Sequence, residues 1–177
     1  KHTLSVGAAL FVGVASAFPL LEAQNFLDAY IGWKPLPFFP LFSAAAISYT
    51  FSEGIGRLAC LSFGCCDGRR VSSLTGFLRA VFERWHIRFE GKTKKISYAS
   101  GWEGKKVVPI QMITSIVCAM NGLAGTALFL CGEFRLAFAV TIIVTLVWRV
   151  LSEFLRSDFR GAGTFFSAYS LMSLLAA

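Results

Sequence analysis

Residues 136–156, "LAFAVTIIVTLVWRVLSEFLR", decide the fold. The run is nearly all apolar and has the ~20 residues that a helix needs to cross the hydrocarbon core of a bilayer. It nevertheless carries Arg149, Glu153 and Arg156. At helical periodicity, positions i, i+4 and i+7 fall on one face, so these three form a charged stripe along an otherwise greasy helix. A charge near the bilayer centre costs about 2.5–3.5 kcal/mol on insertion scales, and such residues therefore face a bundle interior or a wet cavity. The spacing predicts that Arg149 and Glu153 pair directly and that Arg156 is the next cation along the stripe.

The rest of the chain supports a membrane reading. Of its 177 residues 55% are hydrophobic and 15% charged, with eighteen Phe; the mean hydropathy is +0.63. Soluble domains carry about 25% charged residues. Five apolar segments stand out, at 4–21, 39–64, 107–131, 136–155 and 163–177, which predicts an all-α integral membrane bundle of about five transmembrane helices. The opening "KHTLSVGAALFVGVASAF" has the basic start and small residues of a signal peptide, but its apolar part runs to Leu21, a spanning length. The first residue is Lys1 and the last run, "SLMSLLAA", is apolar; the expectation is a single transmembrane domain, 1–177, belonging to a longer protein.

Between the second and third spans, 71–106 reads as a membrane-surface cap. "LTGFLRAVFERW" has apolar residues at helical spacing, as an interfacial amphipathic helix does. "HIRFEGKTKKISYASGWEGKKVV" alternates polar and apolar residues around Gly and Lys, which predicts a β-hairpin. Asp67 to Lys106 holds ten Lys/Arg against four acids, within a formal net charge of +7. A basic segment joining two membrane spans meets anionic lipid headgroups more naturally than nucleic acid.

Counting spans locates a site. The second span ends near Cys66, the third begins near Val107 and the fourth ends near Arg156, so these three ends share one membrane face. The second span also holds Glu53 and Arg57 at i, i+4. Structurally, such pairs lower the insertion cost and lock helices together. The excess of arginine over carboxylate points further, because arginine suits bidentate capture of phosphate or carboxylate. At this depth the obvious anion is a phospholipid headgroup.

The five cysteines (Cys60, Cys65, Cys66, Cys118, Cys131) make no disulfide framework, and neither a C-x-x-C pair nor a Cys/His cluster has zinc spacing, with His2 and His86 the only histidines. The expectation is no metal and no cofactor. Cys65 and Cys66 admit three readings: small residues that let backbones pack near Gly64 and Gly68, an in-chain nucleophile, or a redox-sensitive pair.

"GRLACLSFGCCDGR" (56–69), "VPIQMITS" (108–115) and "WRVLSEFLRSDFRG" (148–161) resemble, in order and rough spacing, the signature segments of prolipoprotein diacylglyceryl transferases. The resemblance covers about 54–175 and is carried by the Gly-Arg opening, the Gly-x-x-x-Gly-Arg close and the Arg-x-x-x-Glu-Phe-x-Arg stripe. It implies a bacterial inner-membrane enzyme that moves the diacylglyceryl group of phosphatidylglycerol onto the cysteine thiol of a lipobox, releasing glycerol phosphate. On that resemblance Arg57, Arg149 and Glu153 would be catalytic, and Arg156, Gly68, Arg69, Gln111, Cys65, Cys66 and Asp67 would bind substrate; the partners would be an anionic phospholipid and a lipoprotein signal peptide.

The chain also departs from the family pattern. Cys60 and Cys65 stand where better-known members carry Asn and Glu, the Tyr-Glu that follows Pro-x-Gln is replaced around Ile113 and Thr114, and His2 matches the upstream histidine poorly. Charge adds a tension. The charged face would lie in the cytoplasm by the positive-inside tendency, whereas the family's active face looks outward; cations that bind anionic lipid would reconcile the two. A related transferase with another acceptor, and a non-catalytic module that binds anionic lipid or a partner helix, are the competing readings.

Overall fold

The structure, a computed structural model, describes residues 6–157. Four long helices dominate: α1 (Val6–Ile31), α2 (Phe38–Phe63), then, after the cap, α5 (Ile110–Leu130) and α6 (Phe134–Leu155). The cap holds a 3-10 turn (Val71–Ser73) and two short helices, α3 (Gly76–Arg84) and α4 (Lys95–Ser100). Each boundary has a local cause. Pro35 and Pro37 break the chain between α1 and α2, since proline lacks an N–H and fixes φ. "CGE" (131–133) makes the tight turn between α5 and α6, with Gly132 at φ 82°.

Helices α2, α5 and α6 pack against one another as a three-helix core. α1 is tied to the linker by Asn25, whose Oδ1 accepts the Leu36 N–H at 2.7 Å, and to the first residue of α2 by an edge-to-face contact of Phe18 and Phe38. The core is made of small and polar groups. Gly122 and Gly125 let α5 approach α2: a Cβ at Gly122 would fall 2.8 Å from the Phe51 ring, and one at Gly125 would fall 3.0 Å from Ile47. Asn121 donates to the Thr141 carbonyl at 3.0 Å and to Thr145 Oγ1 at 3.1 Å, Thr50 and Thr145 hydroxyls meet at 3.4 Å, and Trp148 Nε1 donates to Thr114 Oγ1 at 3.1 Å.

The outer surface is the reverse. Ile116, Met120 and Leu123 on α5, and Ile143, Val147, Leu151 and Phe154 on α6, are each more than half exposed. Burial of apolar surface drives folding in water, so a polar-cored, apolar-skinned bundle is suited to lipid. There, helix association relies on small residues and interhelical hydrogen bonds.

Two expectations are corrected. Among the described residues two helices, α5 and α6, are long and apolar enough to cross a membrane, rather than the five spans read from the sequence. α2 is interrupted by Tyr49, Ser52, Glu53 and Arg57; several side chains in the first half of α1 and the whole segment 163–177 lie outside the described residues. The β-hairpin is absent as well. Ile87 and Val107 exchange backbone hydrogen bonds as an isolated bridge, but the stretch between them turns helical at Lys95–Ser100 and is stopped by Gly101 in the left-handed conformation. Ile96 decides this, since the helix buries it completely against Phe89 and Val107.

Close approach at Gly125 to Thr141 of α6 and Ile47 of α2 predicts that Gly125→Leu forces α5 away from both. The expected loss is about 1–3 kcal/mol, read as a lowered midpoint of denaturant unfolding in detergent. Gly56→Ala, where a Cβ meets nothing within 4 Å, should leave the midpoint in place.

Candidate functional site

The three helix ends predicted to converge do so, through backbone. Arg69 N donates to the Leu155 carbonyl at 2.9 Å, Val108 N donates to the Arg69 carbonyl at 3.0 Å, and Ser157 N donates to the Asp67 carbonyl at 3.2 Å. The segment 67–69 is thus clamped between the end of α6 and the start of α5, and Gly68 pairs with Arg156 as an antiparallel bridge. Glycine is required there because a Cβ would lie 2.8 Å from Val108 Cβ. Asp67 is buried, and its Oδ2 accepts the Ser157 hydroxyl at 3.0 Å. Gln111, also buried, donates from Nε2 to the Cys65 carbonyl at 2.9 Å. Of the residues expected to bind substrate, Asp67, Gly68 and Gln111 therefore build the clamp, while the Arg69 side chain is exposed.

Deeper in the bundle lies the charge cluster. Seven residues separate Arg57 from the Gly64 cap and Arg149 from Arg156, about 10 Å along each helix axis. Glu53 Oε1 accepts from Arg57 Nη2 at 3.0 Å and from Arg149 Nη2 at 3.3 Å, so one carboxylate oxygen joins guanidinium groups from two helices. Arg149 Nη2 also donates to the Tyr49 hydroxyl at 2.9 Å. Only 9% of the Glu53 side chain is exposed, against 20% and 24% for Arg57 and Arg149, and its Oε2 is buried without a hydrogen-bond partner among the described residues.

The predicted pairing of Arg149 with Glu153 is corrected: the carboxylate that Arg149 meets among the described residues is Glu53. Charge order explains the difference. Glutamate N-terminal to the cation at i, i+4 is the favourable arrangement; Glu53–Arg57 has it, and Arg149–Glu153 has it reversed. Tyr49 escaped the sequence reading, although Tyr49, Glu53 and Arg57 recur every four residues along one face of α2.

At the end of α2 the chain makes a Schellman-type turn. Gly64, at φ 61°, donates to Leu61 and Cys60 carbonyls, and Cys65 N donates to the Cys60 carbonyl at 3.1 Å. This cap brings the fourth-last helical residue against the one after the left-handed glycine. Those residues are Cys60 and Cys65, and Cys66 joins them, so that the three Sγ atoms lie within 4.8 Å of one another. Burial, with the neighbouring Cys60 and Cys66 thiols, pushes the Cys65 thiol up to about 12. A thiol held protonated is a poor nucleophile, which weighs against Cys65 as an in-chain nucleophile. The spacing itself, "CLSFGCC" (60–66), was the missed signal.

The cap presents aromatic and cationic groups together. Phe77 and Trp85 at the two ends of α3, and Tyr98 on α4, are more than two-thirds exposed, Arg70 stacks over Trp102 at 4.9 Å, and Lys106 meets Glu83 at 2.5 Å. Lys106 holds the Glu83 carboxyl below its ordinary range.

No protein-family model, no curated protein and no solved structure matches the chain. The resemblance to diacylglyceryl transferases rests on its short motifs.

The shared carboxylate gives a graded mutational expectation. Glu53→Leu leaves two guanidinium groups facing each other in a desolvated place and should lower stability by about 3–5 kcal/mol. Replacing all three charges (Glu53→Leu, Arg57→Met, Arg149→Leu) should recover most of that loss, because an apolar substitute for a buried ion cluster is often close to neutral. Denaturant unfolding in detergent measures both.

Proposed function

We propose that the chain is a multi-pass protein of the bacterial cytoplasmic membrane that transfers the diacylglyceryl group of phosphatidylglycerol to the thiol of a lipobox cysteine. The observation that carries this reading is the meeting of Arg57 and Arg149, from different helices, on a single carboxylate oxygen inside the bundle. A guanidinium offers several N–H donors in a fixed fork that matches the oxygens of a phosphate. A lipid phosphate is the anion that two such forks, held side by side by Glu53, would take. Glu53 keeps the two arginines in place while Arg156, about two turns outward at the clamped end, draws the headgroup toward the mouth.

In the reaction the sulfur of the acceptor cysteine bonds to the glyceryl carbon and the carbon–oxygen bond to phosphate breaks. Phosphate departs with its glycerol, and the thiol proton passes to solvent. Positive charge fixed at the departing phosphate stabilises the transition state without reorganisation during the step. The same charge lowers the pKa of an incoming thiol. Among the described residues Glu153 and Asp67 are the carboxylates near these helix ends; Asp67 is held in the clamp by Ser157, and Glu153 is placed to orient the acceptor. The exposed aromatics and cations of the cap suit a membrane–water interface facing anionic lipid.

A second reading is a non-catalytic module that binds anionic lipid or a partner helix. What favours it is that Glu53 already satisfies both arginines, as a helix lock would.

Incubation of the purified protein with phosphatidylglycerol and a lipobox peptide separates the two. Catalysis predicts glycerol phosphate release that falls at least ~100-fold, about 2.7 kcal/mol of transition-state stabilisation, in Arg149→Lys with the fold retained. Tight lipid binding without release would support the module instead.

A further inference from the structure

The motif resemblance leaves the cysteines unexplained. We propose that Cys60, Cys65 and Cys66 form a three-thiolate site for a thiophilic d10 cation, Cu(I) or Zn(II). This goes beyond the sequence expectation of no metal: a CxxxxCC spacing matches no zinc motif, but the helix cap folds it into one cluster.

Geometry carries the proposal. The three Sγ atoms lie within 4.8 Å of one another. Three sulfurs around a single ion at about 2.3 Å stand about 4 Å apart, so less than ~1 Å of closure, available from χ1 adjustments, completes the ligand set. The turn that displays the thiols is fixed from outside. Gln111 Nε2 donates to the Cys65 carbonyl at 2.9 Å, Ile96 N donates to the Gly64 carbonyl at 2.9 Å, and the Lys94 ammonium donates to the Ser62 carbonyl. Preorganisation of this kind lowers the ordering cost of ligation.

Packing alone does not account for all three residues. A Schellman cap uses an apolar contact between the residues at positions 60 and 65, and cysteine can serve as a small hydrophobe there. Cys66 is different. Its φ is 54°, and it is the one non-glycine residue with positive φ among the described residues. Glycine is the residue that this backbone favours. A cysteine held in that conformation, with its sulfur turned onto two other sulfurs, fits a ligand better than a spacer.

The donor set selects the ion. Among the described residues no imidazole or carboxylate belongs to the cluster, and the neighbouring Asp67 carboxylate faces Ser157. Soft thiolates favour Cu(I) and Zn(II) over hard cations such as Mg(II) or Ca(II). Each thiol that ligates releases its proton to solvent, and no electron is transferred. The anionic cluster so formed has Arg57 three residues before Cys60 and Arg69 and Arg70 just after Cys66.

The experiment uses the whole chain in detergent, reduced with a phosphine. It is titrated with Cu(I) against a chromophoric chelator and separately with Zn(II) against another. Retention of one equivalent of either ion is expected, with thiolate-to-metal charge-transfer absorption for Cu(I), or for Co(II) substituted for Zn(II); the ion held more tightly identifies the occupant. Cys60→Ser, Cys65→Ser and Cys66→Ser should each weaken retention by more than about tenfold, while Cys118→Ser and Cys131→Ser leave it unchanged. Cys66→Gly matches the left-handed backbone, so it should fold at least as well as the parent and still lose the metal. Failure of the folded parent to hold either ion, isolation of a disulfide among these three cysteines that resists reduction, or undiminished retention in Cys66→Gly would overturn the site.

Discussion

One oxygen atom, Glu53 Oε1, organises the interior of this bundle. It is almost fully desolvated, and it accepts from arginines on two helices at 3.0 and 3.3 Å. A buried ion pair is not a cheap source of stability, because the desolvation of each partner offsets most of the attraction. What the arrangement does supply is register. Arg57 can reach Glu53 only one helical turn away, and Arg149 can reach it only if α6 lies at one height against α2. That height also sets the far ends of the two helices level, which lets the segment 67–69 bridge α6 and α5 by backbone hydrogen bonds. The charge cluster and the clamped end are two consequences of one alignment.

The remaining core has little to offer in compensation for misalignment. It is lined with Gly122, Gly125, Thr50, Thr141, Thr145 and Asn121 beside Ile47, and many of the large apolar side chains of α5 and α6 point outward. Small residues permit close helix approach, and their hydrogen bonds are directional, so both reward one register and penalise its neighbours. A soluble bundle of this size would instead depend on interdigitated apolar side chains at its centre.

Much of this was legible in the sequence. The long helices follow from apolar length, the meeting of helix ends at 66, 107 and 156 follows from counting spans, and the amphipathic α3 follows from periodicity. The hairpin was misread because alternation around Lys and Gly looks alike in a strand and in a short helix framed by turns; burial of Ile96, a tertiary fact, decided between them. The Arg149–Glu153 pairing was misread because i, i+4 spacing was weighed without charge order or the competing carboxylate across the bundle. The cysteine cluster went unseen for a different reason. Cysteine clusters are read from sequence as short spacings on hairpins and helices, whereas this one is created by a left-handed glycine that folds a helix end back on itself.

The functional account stands on the claim that Arg57 and Arg149 together form a seat for a lipid phosphate. Native mass spectrometry of the protein extracted from membranes tests it most directly. The account predicts co-purification of about one anionic phospholipid per chain, with phosphatidylglycerol preferred over phosphatidylethanolamine, and loss of that lipid when Arg57→Gln and Arg149→Gln are combined in a protein that remains folded. Retention of the same lipids by the doubly substituted protein, or a bound-lipid profile that merely mirrors the membrane, would contradict it.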